Sequence, residues 1–316
     1  MIDVYIMLVP GTMLLDLAGV SETFRMATEQ GADYKVHLIG PDENASCSIG
    51  LSLAGIEPLP ESLPDGATVL IPGASHSASA YVTPQATIGA AWLARVIRDS
   101  HRLCTVCSGV FLAAQSGLLD GRSCTTHHLL TDRLAREYPQ VVVEENRIFV
   151  HDGNIYTSAG ATTGFDLALH LVAADHGPKM ALEVARMLVI YFRRAGSDLQ
   201  LSPWLLHRNH MHPALHRVQD AVIREPARPW TLASLAREAC TSPRHLARLF
   251  NEHAGISPMT YVRKIRMAAA KELVQASQHN LGRVAEMVGF SSGEQLRRAW
   301  RRFEGSSPVE ARRKQA

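Results

Sequence analysis

The sequence predicts two domains: an α/β sandwich with a mostly parallel sheet, followed by an all-α domain built from two helix-turn-helix units. Over about the first 195 residues, apolar runs alternate with amphipathic segments, which is typical of a parallel sheet covered by helices on both faces. A pattern of apolar, capping and glycine positions then occurs twice near the C-terminus. The length of 316 residues is also too great for one typical core. We assign residues 1–195 to the first domain, 196–212 to a linker and 213–316 to the second domain.

The elements of the first domain follow from periodicity. Strand candidates are short apolar runs, and helix candidates repeat apolar residues at spacings of three and four. The predicted strands cover residues 4–9, 34–40, 67–72, 103–108, 141–145, 147–151 and 154–157, with a hairpin or edge at 45–60. The predicted helices cover residues 14–27, 85–100, 109–116, 127–138, 162–176 and 178–194. Residues 196–212 break this alternation, which is why we assign them to the linker.

The segment Trp230–Pro258 predicts two short helices joined by a turn. Ser242 is placed to cap the second helix, with Pro243 in its first turn, where a missing N–H costs nothing. A capped helix that presents Arg and Asn outward suits a DNA major groove, because Arg pairs with guanine and Asn with adenine. A solvated face in a helical bundle would give the same local pattern. The candidate contact residues on the outer face are Arg244, His245, Ala247, Arg248 and Asn251.

The same pattern returns fifty residues later, where Ser292 and Gln295 predict a capping box. A repeat indicates two copies of one unit rather than one accidental face. The connecting residues 260–276 read as one helix of roughly 25 Å, at about 1.5 Å per residue. One DNA turn is about 34 Å, so both units could enter successive major-groove segments. The second set of candidate contact residues is Gly293, Glu294, Arg297, Arg298 and Arg301.

The net charge of +2 conceals a strong division between the two parts of the chain. Residues 1–212 carry 14 Lys and Arg against 21 Asp and Glu, a formal charge of −7. Residues 213–316 carry 18 against 9, a formal charge of +9. A basic C-terminal third beside an acidic remainder is the electrostatic pattern of a nucleic-acid-binding protein.

Several other classes of protein are excluded by composition. No apolar run reaches the roughly 18 residues of a membrane span, and the N-terminus lacks a basic leader, so we expect no membrane association. Five cysteines without framework spacing indicate a reducing cytoplasm. We expect no metal or cofactor: the Cys104–Cys107 spacing has no second pair, and His207, His210 and His212 have no carboxylate or cysteine beside them.

In the first domain, the most informative stretch runs from Val106 to His128. A strand leads directly into Cys107 and Ser108, and a helix follows at once. A helix N-terminus lowers a thiol pKa, which favours the thiolate at Cys107. Ligands of open α/β sheets bind at such carboxyl ends of strands, and Gly73 could supply a backbone N–H to a bound oxygen. The competing interpretation is that Cys107 is a small buried residue at a tight turn.

Two stretches of motifs carry a resemblance to known families. The sequences ACTSPRHLARLF, GISP, VAEMVGFSSGEQLRRAW and GSSP resemble the AraC/XylS DNA-binding domain, over residues 213–316. The sequences LLDLAGVSETF, IPGA, TVCSGVFLAAQSGLLDGRSCTTHH and YTSAGATTGFDLALHLV resemble the PfpI-like (ThiJ) branch of the class I glutamine amidotransferase-like superfamily. The combination is similar to AraC-type regulators of the GlxA group. The resemblance implies a flavodoxin-like sandwich for the first domain.

The PfpI-like resemblance also assigns residues by position. The superfamily's reactive cysteine falls on Cys107, its companion acidic residue on Asp16 and the nearby histidine on His127. Thr162 and Thr163 correspond to the pocket rim. In its peptidase members a histidine follows the cysteine at once, and this chain has Ser108 there, which argues against proteolysis. A second departure is Val20 at the family's usual proline.

The sequence therefore predicts a cytoplasmic transcription regulator that binds operator DNA and is not an enzyme, and the resemblance implies that it is a homodimer. The resemblance implies a small-molecule effector, such as an amino acid or a quaternary amine, and RNA polymerase as a further partner. The candidate effector-binding residues are Asp16, Gly73, Cys107, Ser108, His127, Thr162 and Thr163. Two alternatives stay open: a cysteine-dependent hydrolase or hydratase fused to a DNA-targeting domain, and a constitutive DNA binder whose first domain only dimerises.

Overall fold

The computed structural model describes residues 1–74, 81–190, 194–198, 200, 207–208, 210–277, 279–304 and 307–308. The chain divides into two compact units, Met1–Gln200 and Leu201–Ala316. Among the residues described, no helix has the length and apolar character to cross a lipid bilayer.

The first unit contains the strands β1 (Ile2–Met7), β2 (Tyr34–Gly40), β3 (Asn44–Ser46), β4 (Ser52–Ala54), β5 (Glu57–Pro58), β6 (Thr68–Ile71), β7 (Arg102–Val106), β8 (Ser123–Cys124), β9 (Val142–Val143), β10 (Phe149–Asp152) and β11 (Ile155–Ser158). It is built on a seven-stranded sheet in the order β10-β11-β7-β6-β1-β2-β5. All neighbouring pairs of this sheet are parallel except β10 and β11. The chain leaves β1 for β2 on one side and resumes at β6 on the other, which creates a topological switch point between β1 and β6.

Helices cover both faces of this sheet. They are α1 (Leu14–Glu29), α2 (Pro84–Val96), α3 (Val110–Gln115), α4 (Thr131–Glu137) and α5 (Thr163–Met187). Because strand side chains alternate, Val69 and Ile71 pack with α2, α3 and α4, whereas Leu70 packs with α1 and α5. The predicted α/β sandwich with a mostly parallel sheet is confirmed.

The element boundaries differ from the sequence prediction mainly where the backbone turns. Strand β7 ends at Val106 rather than at residue 108, because Cys107 has a φ of 57° and leaves the extended region. The helix predicted to end at residue 194 ends at Met187, and Val189 follows with a φ of 54°. The predicted break between the last two helices is present within α5, where Gly177 has a φ of 87°.

The first residues of the predicted linker, 196–200, belong to the first unit. The amide of Ile148 donates to the carbonyl of Gly196 at 3.1 Å, and Arg147 donates to that of Ser197 at 2.9 Å. Gln200 donates to the carbonyl of Thr126 at 2.7 Å. Leu199, residues 201–206 and Asn209 of this segment lie outside the described residues.

The second unit contains α6 (Pro213–Arg224), α7 (Leu232–Glu238), α8 (Pro243–Ala254), α9 (Pro258–Ala276), α10 (Leu281–Val288) and α11 (Gly293–Glu304). The predicted caps are present: Ser242 accepts from the amide of His245 at 3.3 Å and Ser292 from that of Gln295 at 3.1 Å. The reciprocal bond of the second cap differs, since the Gln295 side chain accepts from the amide of Ser291. Both predicted helix-turn-helix units therefore form, as α7–α8 and α10–α11, joined by α9.

Candidate functional site

The turn at Cys107 has a strained and crowded backbone. Cys107 has a φ of 57°, a region that residues with a Cβ rarely adopt, and its side chain is 2% exposed. A Cβ added to Gly160 would lie 2.2 Å from the Cys107 Cβ. A Cβ added to Gly109 would lie 2.3 Å from the carbonyl oxygen of Ile71. The turn after β7 is therefore enclosed by the segments that follow β6 and β11, near the switch point.

Asp16, on the first turn of α1, links these segments. Its carboxylate is buried and accepts from the backbone amide of Gly73 at 3.1 Å and from that of Ala161 at 2.7 Å. A carboxylate that accepts two backbone N–H bonds is stabilised in its charged form. The predicted proximity of Asp16, Gly73 and Cys107 is thus present, but the Gly73 amide, which we expected to serve a bound oxygen, donates to Asp16.

The expectation of a thiolate at Cys107 is wrong. Burial raises the pKa of the Cys107 thiol to about 12, and the charge of Asp16 raises this pKa further than burial alone would. A helix terminus contributes only about 0.3–1 kcal/mol in most settings, which is too little to offset burial beside a carboxylate. The first turn after Cys107 is also a 3₁₀ turn, Cys107–Gly109, and the helix behind it has only six residues. At neutral pH the group is a neutral thiol.

Ser108 belongs to a closed hydrogen-bond network with Tyr81 and Ala74. The Ser108 hydroxyl donates to the Ala74 carbonyl at 2.8 Å and accepts from the Ala74 amide at 3.0 Å and the Tyr81 hydroxyl at 2.9 Å. Burial raises the pKa of Tyr81, which keeps it a neutral donor. Both backbone amides that follow β6, those of Gly73 and Ala74, therefore donate within the domain. Tyr81 could not be identified from the sequence, since an aromatic residue in a loop has no local pattern that ties it to Ser108.

The remaining candidate residues lie around this turn. Thr126 donates to the Cys107 carbonyl at 2.8 Å, and the next residue, His127, is half-buried with its ring 4.3 Å from that of His128. Thr163 donates to the Gly160 carbonyl at 2.9 Å, while Thr162 is exposed.

An ion pair beside Thr162 was not anticipated from the sequence. Arg194 donates to the Thr162 hydroxyl at 2.9 Å and pairs with the buried carboxylate of Asp166 at 2.6 Å. Asp166 falls on the apolar spacing of a helix, and an acidic residue there gives no sign of its partner 28 residues further along the chain.

On α8, the predicted outer face is the exposed one. Arg244, His245, Arg248 and Asn251 are exposed and Ala247 is half-buried, while the inner face holds buried leucines and Phe250. The Arg248 guanidinium lies 3.2 Å from the Nδ1 of His245. Two neighbouring side chains of α8 therefore share one hydrogen-bonding surface.

On α11, the exposed face is more basic. Arg298 and Arg301 are exposed, and Arg297 pairs with Glu294 at 2.7 Å in an exposed ion pair. Gly293 is half-buried at the start of the helix, and Trp300 is fully buried on the opposite face. Within the part of the chain that the structure describes, no group of three or more His, Cys, Asp or Glu side chains is arranged to hold a metal ion.

Two families of known proteins match separate parts of the chain. The profile of the DJ-1/PfpI family matches residues 3–174, and the profile of a helix-turn-helix domain matches residues 235–314. The HTH-type transcriptional regulator CdhR of Pseudomonas aeruginosa is 29% identical, over 98% of this chain and 91% of its own length. The HTH-type transcriptional regulator GlxA of Rhizobium meliloti is 31% identical, over 70% of this chain and 68% of its own length.

Among solved structures, a ThiJ/PfpI family protein from Pseudomonas syringae superimposes with a TM-score of 0.50. It is 22% identical, and the match covers 75% of this chain and 88% of that protein. At that identity the likeness concerns the fold alone.

Proposed function

This chain belongs to the DJ-1/PfpI family and to the HTH-type transcriptional regulators that carry such a domain, and we propose that it is a DNA-binding regulator whose first domain responds to a small metabolite. The observation that carries the proposal is the pair of capped helices α8 and α11, each packed by its apolar face and presenting arginines to solvent. Arginine is the commonest side chain for both guanine edges and phosphates.

The DNA-contact residues that we propose are those of the two exposed faces. On α8, we assign Arg244, Arg248 and Asn251 to base edges, with His245 and Ala247 beside them. On α11, we assign Arg298 and Arg301 to base or phosphate contacts, because several adjacent arginines suit the phosphate backbone. Glu294 and Arg297 complete this surface together with Gly293. The formal charge of +9 over residues 213–316 supports an anionic partner for this domain.

For the first domain, the chemistry of the Cys107 turn favours binding over catalysis. A nucleophilic cysteine needs a thiolate and an anion-stabilising pair of N–H groups. Here the pKa of Cys107 is raised, and the amides of Gly73 and Ala74 donate to Asp16 and to Ser108. These contacts support a sensor rather than a hydrolase.

We propose that the effector site lies at this end of the sheet, where the carboxyl ends of β6, β7 and β11 converge. Asp16, Gly73, Cys107 and Ser108 then form its floor, since all four belong to the contacts described above. His127 and Thr162, which retain exposure, then lie at its rim with Thr163 behind them. An amino acid or a quaternary amine is the proposed effector class, as in the resemblance described above.

The proposed regulator acts in the cytoplasm as a homodimer, with paired half-sites on its operator and RNA polymerase as a downstream partner. Two linked DNA-binding modules raise avidity without any new contact. Control by an effector requires that it favour one arrangement of the protein over another.

One experiment tests both halves of the proposal. The full-length protein selects duplexes from a random 40-bp library, and binding to the selected duplex is measured by fluorescence anisotropy at two salt concentrations. Amino acids and quaternary amines are then screened by thermal shift, where a ligand at 100 times its Kd stabilises by about 2.7 kcal/mol. We expect a selected duplex, and a ligand that changes its Kd. Failure to enrich any duplex would overturn DNA binding, and a stabilising ligand with no effect on the Kd would overturn effector control.

A further inference from the structure

Helix α9 belongs to two hydrophobic cores, and one charged residue lies at their junction. Tyr261, Val262 and Ile265 pack into the first core, with α6, α7 and α8. Met267 begins the second core, with α10 and α11. Arg266 stands between Ile265 and Met267 and is half-buried. A helix shared by two cores links the helix-turn-helix units but does not by itself stop them from bending or twisting about it.

The Arg266 side chain reaches the loop that connects α6 to α7. Its Nε donates to the carbonyl of Pro226 at 2.8 Å, and its Nη2 donates to the carbonyl of Arg228 at 2.7 Å. Two donors of one planar guanidinium thus hold two acceptors on the same loop. A lysine could not reproduce this fork, because its ammonium is a single point of attachment.

The loop that Arg266 holds is itself braced within the first helix-turn-helix unit. The Trp230 ring is buried in the first core, and its Nε1 donates to the carbonyl of Glu225 at 2.8 Å. The guanidinium of Arg228 lies 4.4 Å from the centre of the Trp230 ring, and Arg228 also pairs with Glu238 of α7 at 3.0 Å. The two loop carbonyls that accept from Arg266 are therefore held to the first helix-turn-helix unit.

The second helix-turn-helix unit also contacts Arg266, through the end of α10. Gly289 ends α10 with a φ of 86°, immediately before the turn into α11. A Cβ added to Gly289 would lie 2.8 Å from the Ala227 Cα and 3.0 Å from the Arg266 Cζ. The turn between α10 and α11 therefore abuts the loop between α6 and α7, and Arg266 lies against both.

We propose that Arg266 is a positioning residue that fixes the relative orientation of the two helix-turn-helix units, so that α8 and α11 meet DNA with one set spacing. This proposal rests on the proposed function, since the spacing matters only to a protein that binds DNA with both units. Arg266 contacts no DNA in this scheme. It acts by removing orientations that would otherwise be lost on binding, which is preorganisation.

The first test needs no DNA. Cys240, in the turn between α7 and α8, is exposed, and the four other cysteines are buried, so a spin label attaches at Cys240. A second label at Ser291→Cys marks the corresponding turn between α10 and α11. Electron–electron distance measurements on full-length protein, diluted with unlabelled chains, should give a narrow distribution in the wild type and a broader one in Arg266→Met. Arg263→Met, which removes an exposed arginine from the same helix, is the matched control and should leave the distribution narrow.

The second test uses the duplex that the wild type selects from the random library. Arg266→Met should bind the intact duplex at least tenfold more weakly, yet bind duplexes with either half scrambled within twofold of the wild type. Insertion of one base pair between the halves should weaken the wild type more than Arg266→Met. Arg266→Lys keeps the charge without the fork and should show the same losses that we expect of Arg266→Met, so it replaces that variant in both tests if Arg266→Met does not fold.

The outcomes separate this proposal from the proposed function. Unchanged distance distributions in Arg266→Met, or equal losses on intact and half-scrambled duplexes, would overturn the positioning role. If the wild type selects no duplex while Arg266→Met still broadens the distance distribution, DNA binding fails and the structural role of Arg266 stands.

Discussion

The Cys107 turn and the start of α8 both place a chemically active side chain at a turn that leads into a helix, but their hydrogen-bonding groups are used differently. At the Cys107 turn, the amides of Gly73 and Ala74 donate to side chains of the same domain. At the start of α8, Ser242 caps the helix, and the arginines beyond it are exposed. A reactive residue type at a suitable turn is therefore not sufficient for chemistry. What the neighbouring donors already bind decides whether a partner can be recognised.

The Cys107 thiol should be far less reactive than an ordinary thiol. With its pKa raised to about 12, Cys107 should react with iodoacetamide at pH 8 about a thousandfold more slowly than a model thiol peptide of pKa about 8.5. Mass spectrometry of the native protein should find the label on the exposed Cys240 and not on Cys107. Rapid labelling of Cys107 at pH 8 would mean that its thiol is an active nucleophile, which would contradict the difference from α8 described above.

The second prediction tests how tightly the Cys107 turn is enclosed. Gly160→Ala places a Cβ 2.2 Å from that of Cys107 at a φ of 92°, so strain and overpacking should together destabilise the first domain by about 3 kcal/mol or more. Gly31→Ala is a matched control, because Gly31 has a φ of 97° with nothing within 4 Å of the added Cβ. Gly31→Ala should lower the free energy of unfolding by only about 1 kcal/mol, from the strain of a side chain at positive φ. Urea unfolding measures both, and equal losses would show that the turn is not crowded.

The exposed arginines of α8 should contribute directly to DNA affinity. Arg248→Ala should weaken binding to the selected duplex by about 1–3 kcal/mol if Arg248 reads a base. Arg136→Ala removes an exposed arginine from α4 of the first domain and should leave the affinity unchanged. Anisotropy titrations at fixed salt make the comparison. A loss that is uniform across sequences, with a salt slope reduced by about 1, would assign Arg248 to a phosphate instead.

The cap at the start of α8 should contribute modestly to stability. Ser242→Ala removes the side chain that accepts from the amide of His245, and should destabilise the second domain by about 1 kcal/mol. Ser62→Ala, at an exposed loop position, should change stability by less than about 0.5 kcal/mol. Thermal unfolding monitored by circular dichroism measures both. A Ser242→Ala variant as stable as Ser62→Ala would show that packing alone fixes this end of the helix.

Much of the fold could be predicted from sequence because it depends on local spacing. Strand β2 has the predicted bounds, 34–40, since an apolar run between polar turns leaves few alternatives. The repeat fifty residues apart identified both helix-turn-helix units, and each cap residue lay next to the helix that it begins. The ends of the elements near Cys107 and Val189 were mispredicted, because a positive φ there occurs at a residue other than glycine and is not visible in the sequence.

The candidate site could be predicted only in part. Asp16 and Cys107 were brought together by resemblance to a family, not by any spacing in this chain. The charge state of Cys107 was mispredicted because the helix terminus is visible in sequence, whereas burial and the nearby carboxylate are not. Tyr81 and Arg194 were missed, because each meets its partner through a contact that spans 27 or 28 residues.

The order of most elements, the basic character of residues 213–316 and the exposed arginines of α8 and α11 could all be predicted from the sequence. Those properties follow from charge and from periodicities of two and of three to four residues, which act within one element. In contrast, Asp16 accepts from amides 57 and 145 residues away, and Arg266 donates to a carbonyl 40 residues before it, so these contacts form only in the folded domains. Such contacts depend on which strands and helices become neighbours in space, and the packing of the whole domain determines those neighbours.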